Sequence, residues 1–163
     1  MTYKKIAKTI KHFEIELKCY KRLSKFNHFP TLIKYNREDL SLTLSHCGNN
    51  LLTTSKKITN KEIIKQAKNI SNTLKECNII HLDLKPDNIC VKENTIYLID
   101  FGVACIDCNS VKDVKHQIKS NILRSKTQRL YLKFIESNSY EGFECELIKI
   151  LIEHLSSKID FQI

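Results

Sequence analysis

Apolar positions change period several times along this chain, and each change predicts an element. Residues 3–9 read as a strand ending in Ile6-Ala7-Lys8-Thr9. From His12 to Phe26 the apolar residues Phe13, Leu17, Tyr20, Leu23 and Phe26 recur at helical spacing, and Asn27 and Pro30 predict where that helix stops. Residues 31–35 predict a second strand. Leu40, Leu42 and Leu44 alternate with polar neighbours, the period of a half-buried third strand, and residues 46–50 form a turn-rich connection.

Thr59-Asn60-Lys61-Glu62 has capping-box form and opens a strongly amphipathic helix with Ile63, Ala67, Ile70, Leu74 and Cys77 on its apolar stripe. Three short apolar bursts follow, at 79–80, 89–91 and 96–99. Lys92-Glu93-Asn94 predicts a turn that folds the last two into a hairpin. From Val111 onward the pattern is helical, and Phe143, Leu147, Leu151 and Leu155 give its clearest stripe. Strands with one helix, then a long helix, a hairpin and more helices describe an α+β chain whose helices gather in the second half.

With 163 residues, 42% apolar and 28% charged, the chain is expected to form a single globular domain, residues 1–163. Three glycines and two prolines mark no linker. The net charge of +9 comes from dispersed lysines, with no basic run interleaved with aromatics, so no specific nucleic-acid partner is expected. The start, Met1-Thr2-Tyr3-Lys4-Lys5, lacks a signal-peptide core and no run is long enough to span a bilayer, so no membrane partner is expected. Seven scattered cysteines then fit a reduced, intracellular, cytoplasmic setting. Cys105 and Cys108 are the one close pair and read as coincidence, without the second pair of a structural zinc site. His46, His81 and His154 are too far apart in sequence to suggest a metal cluster. The aromatics Tyr131, Phe134 and Tyr140 read as packing residues.

The chemistry concentrates in His81-Leu82-Asp83-Leu84-Lys85-Pro86-Asp87-Asn88-Ile89, followed by Leu98-Ile99-Asp100-Phe101-Gly102. A short hairpin between the two stretches brings their loops side by side. Hard divalent cations take oxygen ligands, one or two carboxylates together with substrate phosphates, and Asp100 and Asn88 supply such oxygens. Asp83 is then free to orient a hydroxyl and take its proton, while Lys85 can neutralise charge on a moving phosphoryl group. Positioning and electrostatics of this kind suit phosphoryl transfer.

The same residues resemble the protein kinase family. His81–Asn88 is similar to the kinase catalytic loop, and Asp100-Phe101-Gly102 to its metal loop. The resemblance implies a protein-kinase-like fold with a reduced small lobe over 1–46 and a shortened helical large lobe over 47–163. It implies ATP with magnesium or manganese as cofactors, and Lys85 after Leu84 looks like the serine/threonine-directed loop. Extended backward, it implies a hinge at Leu44–Gly48, where the backbone of Ser45 and Cys47 would bond adenine. It also implies an ATP-contacting lysine at Lys8, paired with a helical glutamate at Glu16, or in its place Glu14. His81 would brace the catalytic loop, and Asp113 could stand in for the aspartate of the central large-lobe helix.

The pattern also departs from the family. The first glycine is Gly48, so no glycine-rich phosphate loop precedes the Lys8 strand, and weak ATP binding with slow turnover is expected. Leu82 stands where kinases controlled by activation-loop phosphorylation carry arginine. No Ala-Pro-Glu segment follows Gly102. Three functions stay open at this stage. One is a minimal serine/threonine protein kinase with a protein substrate. The second is a kinase mimic that binds and modulates a partner kinase, and the third a small-molecule kinase, against which the Leu-Lys-Pro-Asp-Asn loop argues. The lysine-, asparagine- and isoleucine-rich composition would suit a parasite or a large DNA virus, with the protein in the host cytoplasm.

Overall fold

The computed structural model describes residues 1–108, 112, 113, 116 and 140–157. Its first sheet has the order β1-β3-β2, from Thr2–Ile6 (β1), Leu32–Asn36 (β2) and Ser41–Ser45 (β3), all antiparallel. β3 lies in the middle and buries Leu42 and Leu44 in the same core as Leu17 and Leu23 of helix α1, Ile10–Leu23. The expected stripe of α1 is realised in full, with Phe13, Leu17, Tyr20 and Leu23 buried.

The ends of these elements differ from the expectation for local reasons. Thr9 is not strand but N-cap: its Oγ1 accepts the N–H of His12, so the helix starts at Ile10 and the strand stops at Ile6. Helix α1 ends at Leu23, short of Phe26. The Ser24 hydroxyl donates to the Tyr20 carbonyl at 2.6 Å and accepts the Leu32 N–H at 2.8 Å, drawing the chain out of the helical ladder and toward β2.

After the connection at His46–Gly48, Asn49–Asn50 forms a short strand, β4, where only a turn was expected. β4 pairs with β6 (Ile89–Lys92), and β6 with β7 (Thr95–Leu98), the expected hairpin turning at Glu93-Asn94. Between them, helix α2 runs from Asn60 to Glu76, with Thr59 Oγ1 accepting the N–H of Glu62 as the capping pattern predicts. Ile63, Ala67, Ile70 and Leu74 are fully buried, the three larger side chains each contributing about 1.5–3 kcal/mol. β5 (Ile79–Ile80) pairs with β8 (Cys105–Ile106), which joins the stretch before the catalytic loop to the stretch after the metal loop.

Helix α3, Glu141–Leu155, packs on α2 with Phe143, Leu147, Leu151 and Leu155 buried. Its C-terminus is sewn back to the start of α2: the Ile58 N–H bonds the Leu155 carbonyl, and Ile58 bridges Ser156 in parallel. Tyr131, Phe134 and most of the helical stretch expected after Val111 lie outside the described residues. Cys105 and Cys108 form a disulfide with Cα atoms 6.3 Å apart, which overturns their reading as coincidence; a left-handed turn at Asp107 (φ 56°) folds the four residues back on themselves. Among the described residues no helix is long and apolar enough to cross a membrane.

Gly48 and Gly102 offer a test of this packing. Gly48 sits at φ 85°, and a Cβ there would lie 2.0 Å from the Val91 carbonyl oxygen, a backbone atom that cannot swing away. At Gly102 the nearest atoms to a Cβ are 3.5 Å or more away, ordinary contact. Gly48→Ala should therefore lower stability by more than about 2 kcal/mol and Gly102→Ala by less than about 1 kcal/mol, read from urea unfolding midpoints.

Candidate active site

A cleft of about 400 Å³ opens between the small sheet and the β4-β6-β7 sheet. Lys5 and Tyr3 from β1 form its roof, Leu44–Gly48 its back edge, and Cys90, Ile99 and Asp100 its floor. Strand alternation decides which lysine enters. Lys4 points away and pairs with Asp39 at 2.9 Å, while Lys5 points in. Lys5 Nζ lies 2.8 Å from Glu16 Oε1 and 2.7 Å from Asp100 Oδ1.

The lysine expected to pair with Glu16 was Lys8, and this is corrected by the structure. Lys8 lies past the end of β1, exposed, in the bend that leads into the Thr9 cap. The clue that would have found Lys5 is Thr9 itself, because a cap one residue after Lys8 cannot belong to the strand. Glu16 is the helical partner, fully buried on α1, whereas Glu14 points outward and pairs with Arg37.

Charge in this triad is set by competing effects. Burial would lower the pKa of Lys5, but Glu16 and Asp100 outweigh it and hold it above the ordinary lysine range. Burial pushes the Glu16 carboxyl up against the pull of Lys5. At Asp100 burial opposes ionisation, yet Lys5 and the Gly102 N–H keep the carboxyl below the usual carboxylate range.

The two loops predicted to lie side by side do so. Asp83 Oδ2 accepts from Asn88 Nδ2 at 2.9 Å and lies 3.2 Å from Lys85 Nζ. Asn88 Nδ2 also donates to the Asp83 carbonyl at 2.8 Å, so both amide hydrogens are used on Asp83 and the amide oxygen faces away from it. His81 is fully buried and links the loops. Its Nε2 donates to the Ile99 carbonyl at 2.8 Å, and its Nδ1 accepts the Asp83 N–H at 3.3 Å. Both bonds together require the neutral ring, which burial favours by lowering its pKa. Phe101 is wedged beside it, with the His81 ring 4.8 Å away, Tyr20 at 5.5 Å and Phe29 at 6.0 Å, all tilted or edge-on.

Asp100 and Asn88 carry hard oxygens of the kind that magnesium or manganese takes. Among the described residues no group of three or more His, Cys, Asp or Glu side chains could hold a metal ion, so such a cation would be completed by phosphate oxygens from a ligand. Asp100, with 43% of its side chain exposed, remains accessible from the cleft for this. Ser45 and Cys47 line the same cleft. The Ser45 N–H is bonded to the Thr31 carbonyl, and its own carbonyl accepts from the Cys47 thiol at 3.6 Å, a thiol pushed up to about 11 by burial.

The sequence pattern left Gln66 unmarked and gave Tyr20 and Tyr140 packing roles alone, yet all three make hydrogen bonds that support this arrangement. Buried Gln66 accepts the Ile96 N–H and donates to the Asn94 carbonyl, latching the hairpin to α2. Tyr140 donates its hydroxyl to the Ile79 carbonyl, two residues before His81. The Tyr20 hydroxyl reaches the metal loop. Periodicity alone could have marked Gln66, a polar residue interrupting the apolar stripe. Asp113 is exposed rather than buried beneath the catalytic loop. Lys5→Met should cost about 3 kcal/mol in urea unfolding, because Glu16 stays buried without its cation, while Lys8→Met should change stability by less than about 0.5 kcal/mol.

Residues 1–127 match the model of the protein kinase domain family. Over 80 residues the chain is 38% identical to a probable serine/threonine-protein kinase dyrk2 of Dictyostelium discoideum, covering 47% of this chain and 8% of that protein. Over 83 residues it is 35% identical to a dual specificity protein kinase YAK1 homolog of Arabidopsis thaliana, covering 48% of this chain and 8% of that protein. It thus spans less than a tenth of the length of these curated relatives. With the match running from the small sheet through the catalytic hairpin, with Lys5 bridging Glu16 and Asp100, and with His81 tying the Asp83 loop to the Asp100 loop, the chain belongs to the protein kinase family.

Proposed function

We propose that this chain transfers the γ-phosphoryl group of ATP to serine or threonine hydroxyls of protein substrates. The observation that supports this most is that the Asp83–Lys85–Asn88 cluster and the Lys5–Glu16–Asp100 triad sit on two loops bonded to each other, through His81 and through the Ile99 N–H on the Asn88 carbonyl. In this reading 1–46 and 47–163 act as the two lobes around the cleft. The backbone at Ser45 and Cys47 holds adenine, and Lys5 holds the phosphates in the role first expected of Lys8.

Asp83 Oδ2 is held by Asn88 and Lys85, so Oδ1 is the oxygen offered to an incoming hydroxyl. Asp83 takes the hydroxyl proton as the substrate oxygen bonds to the γ-phosphorus; the bond from that phosphorus to the β,γ-bridging oxygen breaks, and ADP leaves with the electron pair. Lys85 neutralises charge on the phosphoryl oxygens during the transfer. Asp100 and the Asn88 amide oxygen would hold the divalent cation, which when bound neutralises phosphate charge.

A second reading, a kinase mimic that binds and modulates a partner kinase, has one observation in its favour. β1 is an edge strand of its sheet, and Tyr3 and Ile6 on it are 53% and 64% exposed, an open border for a partner. Labelled ATP separates the two. With magnesium or manganese and millimolar ATP, the chain should label itself and a generic basic protein. Asp83→Asn and Asp100→Ala should each lower that transfer by at least about 100-fold. Folded wild-type protein that transfers no label would overturn the enzyme reading and favour the mimic.

A further inference from the structure

The metal loop is a stretch of backbone whose N–H groups find their partners on five different residues. Leu98 N–H bonds the His28 carbonyl, and Ile99 N–H the Asn88 carbonyl. Asp100 N–H bonds the Tyr20 hydroxyl at 3.2 Å, and Phe101 N–H bonds Glu16 Oε1 at 3.2 Å. Gly102 N–H turns back to Asp100 Oδ1. Two consecutive amides of the loop are therefore held by two side chains one turn apart on the same face of α1.

Tyr20 is fully buried and its ring packs edge-on against Phe101, a task that a leucine or phenylalanine would also perform. Its hydroxyl does something those residues cannot. Asp100 sits at φ 63°, a left-handed conformation that a non-glycine residue keeps only when its surroundings enforce it. The Tyr20 bond to the Asp100 N–H fixes the peptide between Ile99 and Asp100, and with it the direction of the carboxylate that faces Lys5 and the cleft. The other end of that peptide, the Ile99 carbonyl, is held by His81 Nε2 at 2.8 Å, so losing the hydroxyl loosens only the end that carries Asp100 and its carboxylate.

We propose that Tyr20 is a positioning residue of the metal loop, whose hydroxyl on the Asp100 N–H aims the Asp100 carboxylate for divalent-cation binding. This rests on the phosphoryl-transfer reading only in taking Asp100 as a metal ligand.

Tyr20→Phe keeps the ring and removes only the hydroxyl. Two NMR measurements on the full chain test it, and neither needs turnover. In ligand-free protein, amide hydrogen exchange at Asp100 should speed up about five- to ten-fold, the scale of one lost hydrogen bond, while Phe101, held by Glu16, is unchanged. With a non-hydrolysable ATP analogue, the Mn²⁺ concentration that half-broadens signals around Asp100 should rise by a similar factor. Tyr20→Met, which also lacks the hydroxyl, should give the same shifts and serves if the phenylalanine variant does not fold. A purely structural role would lower the unfolding midpoint and leave both measurements as in wild type, and that result overturns the inference. Wild type that transfers phosphate while the variants bind Mn²⁺ normally would likewise overturn it and leave the kinase reading standing. Wild type that binds Mn²⁺ with the analogue but transfers nothing, with the variants shifted, would sink the transfer reading and support Tyr20. Wild type that binds no Mn²⁺ would overturn both.

Discussion

Burying a carboxylate costs several kcal/mol unless charge and hydrogen bonds are brought to it, and Glu16 is fully buried. Its Oε1 is satisfied by Lys5 and by the Phe101 N–H, while among the described residues its Oε2 finds no hydrogen-bond partner. Strand β1, helix α1 and the metal loop must therefore assemble together, because any one of them missing leaves that charge unpaired in a dry place. Lys5 is shared between Glu16 and Asp100, so the same condition that makes the core tolerable also orients a carboxylate into the cleft. Stability and site geometry are linked here through one cation.

The far side of the cleft is held by neutral groups. His81, kept uncharged by burial, ties the Asp83 N–H to the Ile99 carbonyl and so sets the catalytic loop against the metal loop. Gln66 fastens the hairpin that separates them, and His28 on the segment after α1 bonds the Ile96 carbonyl through Nδ1. Leu82, between His81 and Asp83, takes φ 58° and is buried, a strained conformation for a branched residue that this framework enforces. Tyr140 reaches from just before α3 to the Ile79 carbonyl, so the last described helix steadies the strand that delivers His81.

Beyond the metal loop the chain is tied down by charge and covalent chemistry. Arg22, near the end of α1, grips both oxygens of Asp107 at 2.8 and 2.6 Å and also donates to the Cys77 carbonyl. Asp107 lies inside the four-residue loop closed by Cys105 and Cys108. Where Leu82 offers no cation to the segment after Gly102, Arg22 offers one from the helix instead, and a carboxylate receives it. The pair is largely exposed and contributes little stability alone, but its bidentate geometry fixes an orientation.

Much of this was legible in local pattern. Helical stripes on α1, α2 and α3, the hairpin at Glu93-Asn94 and the two loops carrying Asp83, Lys85, Asn88 and Asp100 all follow from period, capping and spacing, because those signals act over a few residues at a time. The choice between Lys5 and Lys8 turns on whether Thr9 caps a helix or ends a strand, a local signal that strand periodicity masked, and the pairing itself needs Glu16 buried beside β1. The Arg22–Asp107 pair, the Gln66 latch and the reach of Tyr20 to Asp100 join residues 28 to 85 positions apart, and their energy exists only once the chain has brought them together. Local composition settled which elements form and where the reactive residues stand along the chain. Which cation meets which buried carboxylate was settled by burial itself, because only desolvation makes an unpaired charge costly enough to choose its partner.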